Sequence, residues 1–148
     1  MQIPEPRIER LPTTLQGNGV LSTDIESVWD EVKVLIEPAI FEDEFSIEDI
    51  FQKLKEQKMQ LWTVRSEKII CACVTRIEIS KRKKFLTILF VGGEDVFSWV
   101  EFIHLISDYA KFHGCEELRV FGRKGWGKVL NKYGFDNPLS LFRKKLYG

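Results

Sequence analysis

Two adjacent glycines, Gly92-Gly93, stand just before a long apolar segment, and that arrangement could do chemistry. Glycines let main-chain N–H groups turn toward an anion, and a helix starting just after them favours negative charge at its N-terminus. The next residues, Glu94 and Asp95, oppose that use. A carboxylate ~5 Å from a phosphate repels it by roughly 1 kcal/mol or more, depending on the local dielectric. Acids also complement the dipole of a helix start, so the pair reads either as structural capping or as an altered anion loop. A second group is Gly122-Arg123-Lys124-Gly125-Trp126, followed by Lys128. Arginine beside tryptophan can serve a base, an adenine ring or a partner protein. Equally, Trp126 can anchor its own helix to a sheet. Glu78 sits in a β-type run, where a glutamate is either simply exposed or available for acid–base work. His104, His113 and Cys115 lack any regular ligand spacing, so no metal site is expected.

The elements that must position these residues follow from period and punctuation. Pro4, Pro6, Pro12, Gly17 and Gly19 mark residues 1–22 as an extended arm with at most one short strand, best placed at Ile8 to Leu11. Ser22, Thr23 and Asp24 offer N-caps to a helix with Val28, Val32, Leu35 and Ile36 on one face, ended or interrupted by Pro38. Ser46 with Asp49 forms a capping-box variant ahead of Ile47, Ile50, Phe51 and Leu54. The period then changes. Met59 to Arg65, Lys68 to Ile79 and Lys83 to Val91 are rich in β-branched, aromatic and thiol residues. The turns between them are too short for helices, so the three runs predict an antiparallel meander. Lys81-Arg82-Lys83-Lys84, at one of those turns, reads as a solvated hairpin tip. A helix from about Phe97 to His113 follows, with Ser98 and Glu101 as its capping box and Gly114 as its stop. Glu117 to Phe121 predicts a strand parallel to its neighbour, Gly125 to Lys132 a short helix, and Leu139 to Leu146 a final strand.

Composition sets the outer bounds. The 148 residues suit one domain, here 23–148 after the arm, and 44% hydrophobic with 30% charged residues is an ordinary globular mixture. With 22 basic and 22 acidic residues the formal charge is zero, so no broad nucleic-acid or anionic-membrane surface is expected. Three cysteines, two alternating in an apolar run (Cys71 and Cys73), read as core thiols in a reducing compartment. No apolar run is long enough to span a bilayer, and residues 1–6 lack signal-peptide features, which points to a cytoplasmic protein.

The fold class is therefore α/β (α+β): one domain with a mixed, mostly antiparallel sheet flanked by helices, in the order arm-α-α-β-β-β-α-β-α-β. Two helices before a meander, a helix straight after the third strand, and Gly134-Phe135 closing Asn131-Lys132-Tyr133-Gly134-Phe135 resemble the GNAT N-acetyltransferase family across nearly the whole chain. Gln60-Leu61-Trp62, Val74-Thr75, Gly114-Cys115 and Gly122-Arg123-Lys124-Gly125-Trp126 look similar to the small GNAT-like proteins of tailed bacteriophages.

The resemblance implies acetyl-CoA or another acyl-CoA, with Val91, Gly92, Gly93 and Ser98 as the binding set, and Glu78 as a general base for the acceptor amine. It also exposes two departures. The family's phosphate loop resembles Gln/Arg-x-x-Gly-x-Gly/Ala, whereas this chain has Gly92-Gly93-Glu94-Asp95. The tyrosine that can protonate the departing thiolate falls at Leu130, which has no proton to give, and Tyr133 lies three residues further on. Two functions are implied. One is a divergent acyl-CoA-dependent N-acyltransferase or its catalytically degenerate relative. The other is a non-enzymatic interaction protein, of the kind used in phage particle assembly. It would meet a protein partner or a second copy through the arm and a surface of Arg123, Lys124 and Trp126, in a host cytoplasm or a virion.

Overall fold

The meander forms where the period changes, and it carries the rest of the chain. The computed structural model describes residues 15–40, 44–94, 96–122 and 124–147. Strands β2 (Gln60–Arg65), β3 (Ile69–Ile79) and β4 (Lys84–Gly93) pair antiparallel in sequence order. Strand β1 (Gln16–Val20) adds antiparallel to β2, and β5 (Glu117–Val120) adds parallel to β4. The sheet order is β1-β2-β3-β4-β5. The strand placed at Ile8 to Leu11 lies outside the described residues. The strand that is described, β1, lies later in the chain, is itself part of the sheet, and runs through Gly17 and Gly19. A Cβ on Gly17 would lie 2.4 Å from the Phe102 ring, so close packing requires the glycine there.

Helices α1 (Ile25–Ile36) and α2 (Ile47–Lys55) cover one face of the sheet. Ile25, Val32, Ile36, Ile50 and Leu54 pack there on Leu61, Val74, Leu89 and Phe90. The Ser46 capping box forms as the sequence predicts: the Asp49 N–H donates to Ser46 Oγ at 3.0 Å, and the Ser46 N–H to Asp49 Oδ2 at 3.1 Å. Helix α3 (Ile103–Phe112) and the short α4 (Gly127–Asn131) cover the opposite face. Trp99, Val100, Ile103, Ile106 and Leu130 pack there on Cys71, Cys73, Leu86 and Ile88.

A bulge in β4 lets one strand serve both faces. Val74 pairs with Phe90 and Thr75 with Ile88, leaving Leu89 as the extra residue. Leu89 and Phe90 therefore both reach the α1/α2 side, while Ile88 and Val91 pack on the other.

Two expectations are corrected. The helix expected from Phe97 begins as a 3₁₀ segment, Val96–Phe102, and becomes α-helical only at Ile103, whose N-cap Phe102 supplies no side-chain hydrogen bond. Ser98 and Glu101 thus do not start the α-helix. Trp99 and Val100 are buried against the sheet, and the burial of both neighbours fixes this turn more strongly than a polar cap would. The final strand, Leu139 to Leu146, does not form: these residues have no regular structure and are exposed. Alternation is weak there, because Leu141-Phe142 and then Arg143-Lys144-Lys145 break the two-residue period.

Candidate functional site

Strands β4 and β5 run together only part of the way. Their pairing covers Phe85↔Glu117 to Ile88↔Val120, and the last bond is from the Phe121 N–H to the Ile88 carbonyl at 3.3 Å. Beyond that point β4 continues to Gly93 while the chain after β5 turns away through Gly122. The parting opens a cavity of about 310 Å³. Leu89, Val91, Gly92 and Gly93 form one wall, Phe121, Gly122 and Trp126 another, and Val34, Leu35, Pro38 and Ala39 at the end of α1 a third. Such a mouth at the carboxyl ends of parallel strands is where α/β sheets place their ligands.

The sequence-predicted residues divide between this cavity and elsewhere. Val91, Gly92 and Gly93 line it, and so does Trp126. Trp126 also lies 5.4 Å, ring centroid to centroid, from the buried Trp99, so the anchoring role is realised alongside the lining one. Arg123 lies outside the described residues, as do the side chains of Ser98 and Lys124. Glu78 is not brought to the cavity. It pairs with Phe85, five residues along β3 from the Cys73↔Val91 pair, roughly 17 Å away. Its carboxylate accepts from the Thr87 hydroxyl at 2.6 Å and pairs with Arg76 at 3.3 Å. Residues that sequence reasoning missed are Val34, Leu35, Pro38, Ala39 and Phe121. The apolar face of α1 was legible, but not which of its turns would overhang β4.

The two glycines answer to packing first. A Cβ on Gly92 would sit 1.9 Å from the Leu35 carbonyl oxygen, and one on Gly93 2.2 Å from that of Ile70. Gly93 has φ +153, which side-chain-bearing residues rarely adopt. The loop after them is also tied down. The Glu94 N–H donates to the Ile70 carbonyl at 2.9 Å, and Glu94 Oε1 meets Lys68 Nζ at 2.9 Å. The bonded Glu94 carboxylate raises the Lys68 pKa, which favours the charged pair. With the α-helix delayed to Ile103, a ready-made helix N-terminus does not follow directly on the glycines.

The rest of the site offers little proton chemistry. Leu130 is buried in the core at 9% exposure, and Tyr133 is exposed past the end of α4, outside the cavity lining. Among the described residues that line the cavity, none is an acid, a base or a thiol. Burial pushes the Cys73 thiol well up, which makes it a poor nucleophile. Among the described residues, no cluster of three potential metal ligands occurs.

No protein-family model matches the sequence, and no curated protein does. Solved structures do match in shape. An aminoglycoside acetyltransferase from an uncultured soil metagenomic sample superposes with a TM-score of 0.66 at 17% identity, covering 90% of this chain and 97% of that one. Glucosamine-6-phosphate N-acetyltransferase from Arabidopsis thaliana gives a TM-score of 0.63 at 15% identity, over 90% and 99%. A predicted acetyltransferase from Clostridium acetobutylicum, solved with acetyl-CoA, gives 0.63 at 15%, over 90% and 97%. The fold is that of the GNAT acetyltransferases. No helix among the described residues is long and apolar enough to cross a membrane.

Proposed function

We propose that the chain is a divergent acyl-CoA N-acyltransferase domain that keeps the binding cleft and has lost the proton-transfer part of the reaction. The observation that carries this reading is the parting of β4 from β5 into an apolar cavity with no proton donor among its described lining residues. An acyl-pantetheine arm is long and narrow, with amides set between short apolar stretches, and would lie along Leu89 and Val91 under the end of α1. The edge of β4 past Ile88, which pairs with no strand among the described residues, offers main-chain groups to its amides. The tied loop at Glu94 and the late start of α3 argue for weak grip on the pyrophosphate. Leu130 argues for slow turnover: a missing general acid costs about 10²–10⁴-fold.

Calorimetric titration with acetyl-CoA and with free CoA tests the reading. Val34 is the residue to change, because it lines the cavity and is exposed on α1. Binding in the micromolar range that Val34→Glu abolishes, without loss of helical signal, is the expected result. No heat at millimolar ligand would sink it. The non-enzymatic alternative, an interaction protein of the kind used in phage particle assembly, would then be the reading to test. Its contacts would be sought in residues 1–22 and around Arg123, Lys124 and Trp126.

A further inference from the structure

Two exposed apolar side chains converge on the cavity beside β4. Val34, in the last turn of α1, is 62% exposed, and Phe121, just past the end of β5, is 67% exposed. They are remote in sequence and stand on different walls of the same cavity. One apolar side chain left in water is ordinary, but two at one opening form a surface that an apolar ligand would cover. The wall at the end of α1 offers such a ligand little else. Val34, Leu35 and Ala39 have no polar side-chain atom, and Pro38 lacks even a main-chain N–H.

Charge narrows the ligand further. This wall is the C-terminal end of α1, the negative end of the helix dipole, and Glu37 directly precedes Pro38 there. A ligand group carrying its own carboxylate is disfavoured at that end. Resting on the acyl-CoA reading, we propose that the acyl group carried into this cavity is a neutral aliphatic chain several carbons longer than acetyl, laid against Val34 and Phe121. Acetyl ends in a single methyl and leaves one or both walls in water. A longer chain covers both, and each methylene removed from water adds to the affinity. Pantetheine is common to every acyl-CoA, so the preference resides in these two walls.

The test titrates the full chain calorimetrically with acetyl-, butyryl-, hexanoyl- and octanoyl-CoA, and with succinyl-CoA as the charged counterpart. The expected result is affinity rising about fourfold per methylene along the neutral series, with succinyl-CoA no tighter than acetyl-CoA. A variant with Val34→Ser and Phe121→Ser, both at exposed positions, should cut the ratio of octanoyl-CoA to acetyl-CoA affinity at least about tenfold, while its circular dichroism stays that of the parent. Equal affinity along the series, or tightest binding of succinyl-CoA, overturns the chain-length inference and leaves the acyl-CoA reading standing. So does a ratio unchanged in the variant, which would place the longer chains on the exposed apolar residues of 139–146 instead. If no acyl-CoA binds at all, the acyl-CoA reading fails first, and this inference with it.

Discussion

Gly92 places a strand against a helix with nothing between them. Adding a single methyl there puts carbon 1.9 Å from the Leu35 carbonyl oxygen, and main chain cannot step aside as a side-chain tip can. Gly92→Ala is expected to cost about 3 kcal/mol, the upper end for overpacking, by chemical denaturation. Gly125→Ala, where a Cβ meets nothing within 4 Å, should change stability little and serves as the control. The same residue shows what was legible at this scale. A glycine pair at the end of a β run is visible in the sequence, and an anion cradle is the sharper reading of it. That backbone carbonyls of two sequence-distant segments crowd both positions is a property of the folded chain. Leu130 was legible as a departure from the family pattern, and its burial supplies the reason: the position belongs to the core.

At the scale of elements, local signals succeeded where side chain and backbone meet within one turn. Ser46 and Asp49 form their reciprocal bonds, and Ser46→Ala should cost about 1 kcal/mol by urea unfolding. The Ser46 N–H holds the Asp49 carboxyl below the ordinary aspartate range, with the Ser46 hydroxyl helping. A depressed folded-state value means the carboxylate stabilises the fold above its unfolded pKa, and that stability drains away as pH falls through the lower folded value. Asp49→Asn should therefore show a shallower loss of thermal stability on acidification below about pH 4 than the parent protein. The equivalent signal at Ser98 and Glu101 did not place the start of α3, because burial of Trp99 and Val100 fixes that turn. The meander was legible since its strands are rich in β-branched, aromatic and thiol residues and its turns are short. The strand expected at Leu139 to Leu146 was not realised: its apolar residues do not keep a two-residue period, and composition alone does not make a strand.

For the whole molecule, the sheet separates two cores. One is built with α1 and α2, the other with α3 and α4, and the bulge at Leu89 feeds both from a single strand. Ile50 and Ile106 belong to different core clusters, on opposite faces of the sheet. Ile50→Val and Ile106→Val, each expected to cost about 1 kcal/mol, should add to within ~0.5 kcal/mol in the double variant, as measured by equilibrium unfolding. Coupling beyond that would mean the sheet transmits strain between its faces. The fold as a whole was readable from element order, whereas the site was readable only in part, since its third wall comes from a helix remote in sequence.

The crossing of Gly92 with Leu35 has a further consequence for the cavity beside it. Where two main chains touch, their spacing is a fixed gauge that lining side chains cannot reset. Val34, Val91 and Phe121 can be exchanged for larger or smaller residues, and the room inside will change while the walls keep their distance. The chain thus separates the frame of a pocket from its upholstery, and a new ligand could be accommodated by recutting the second without rebuilding the first.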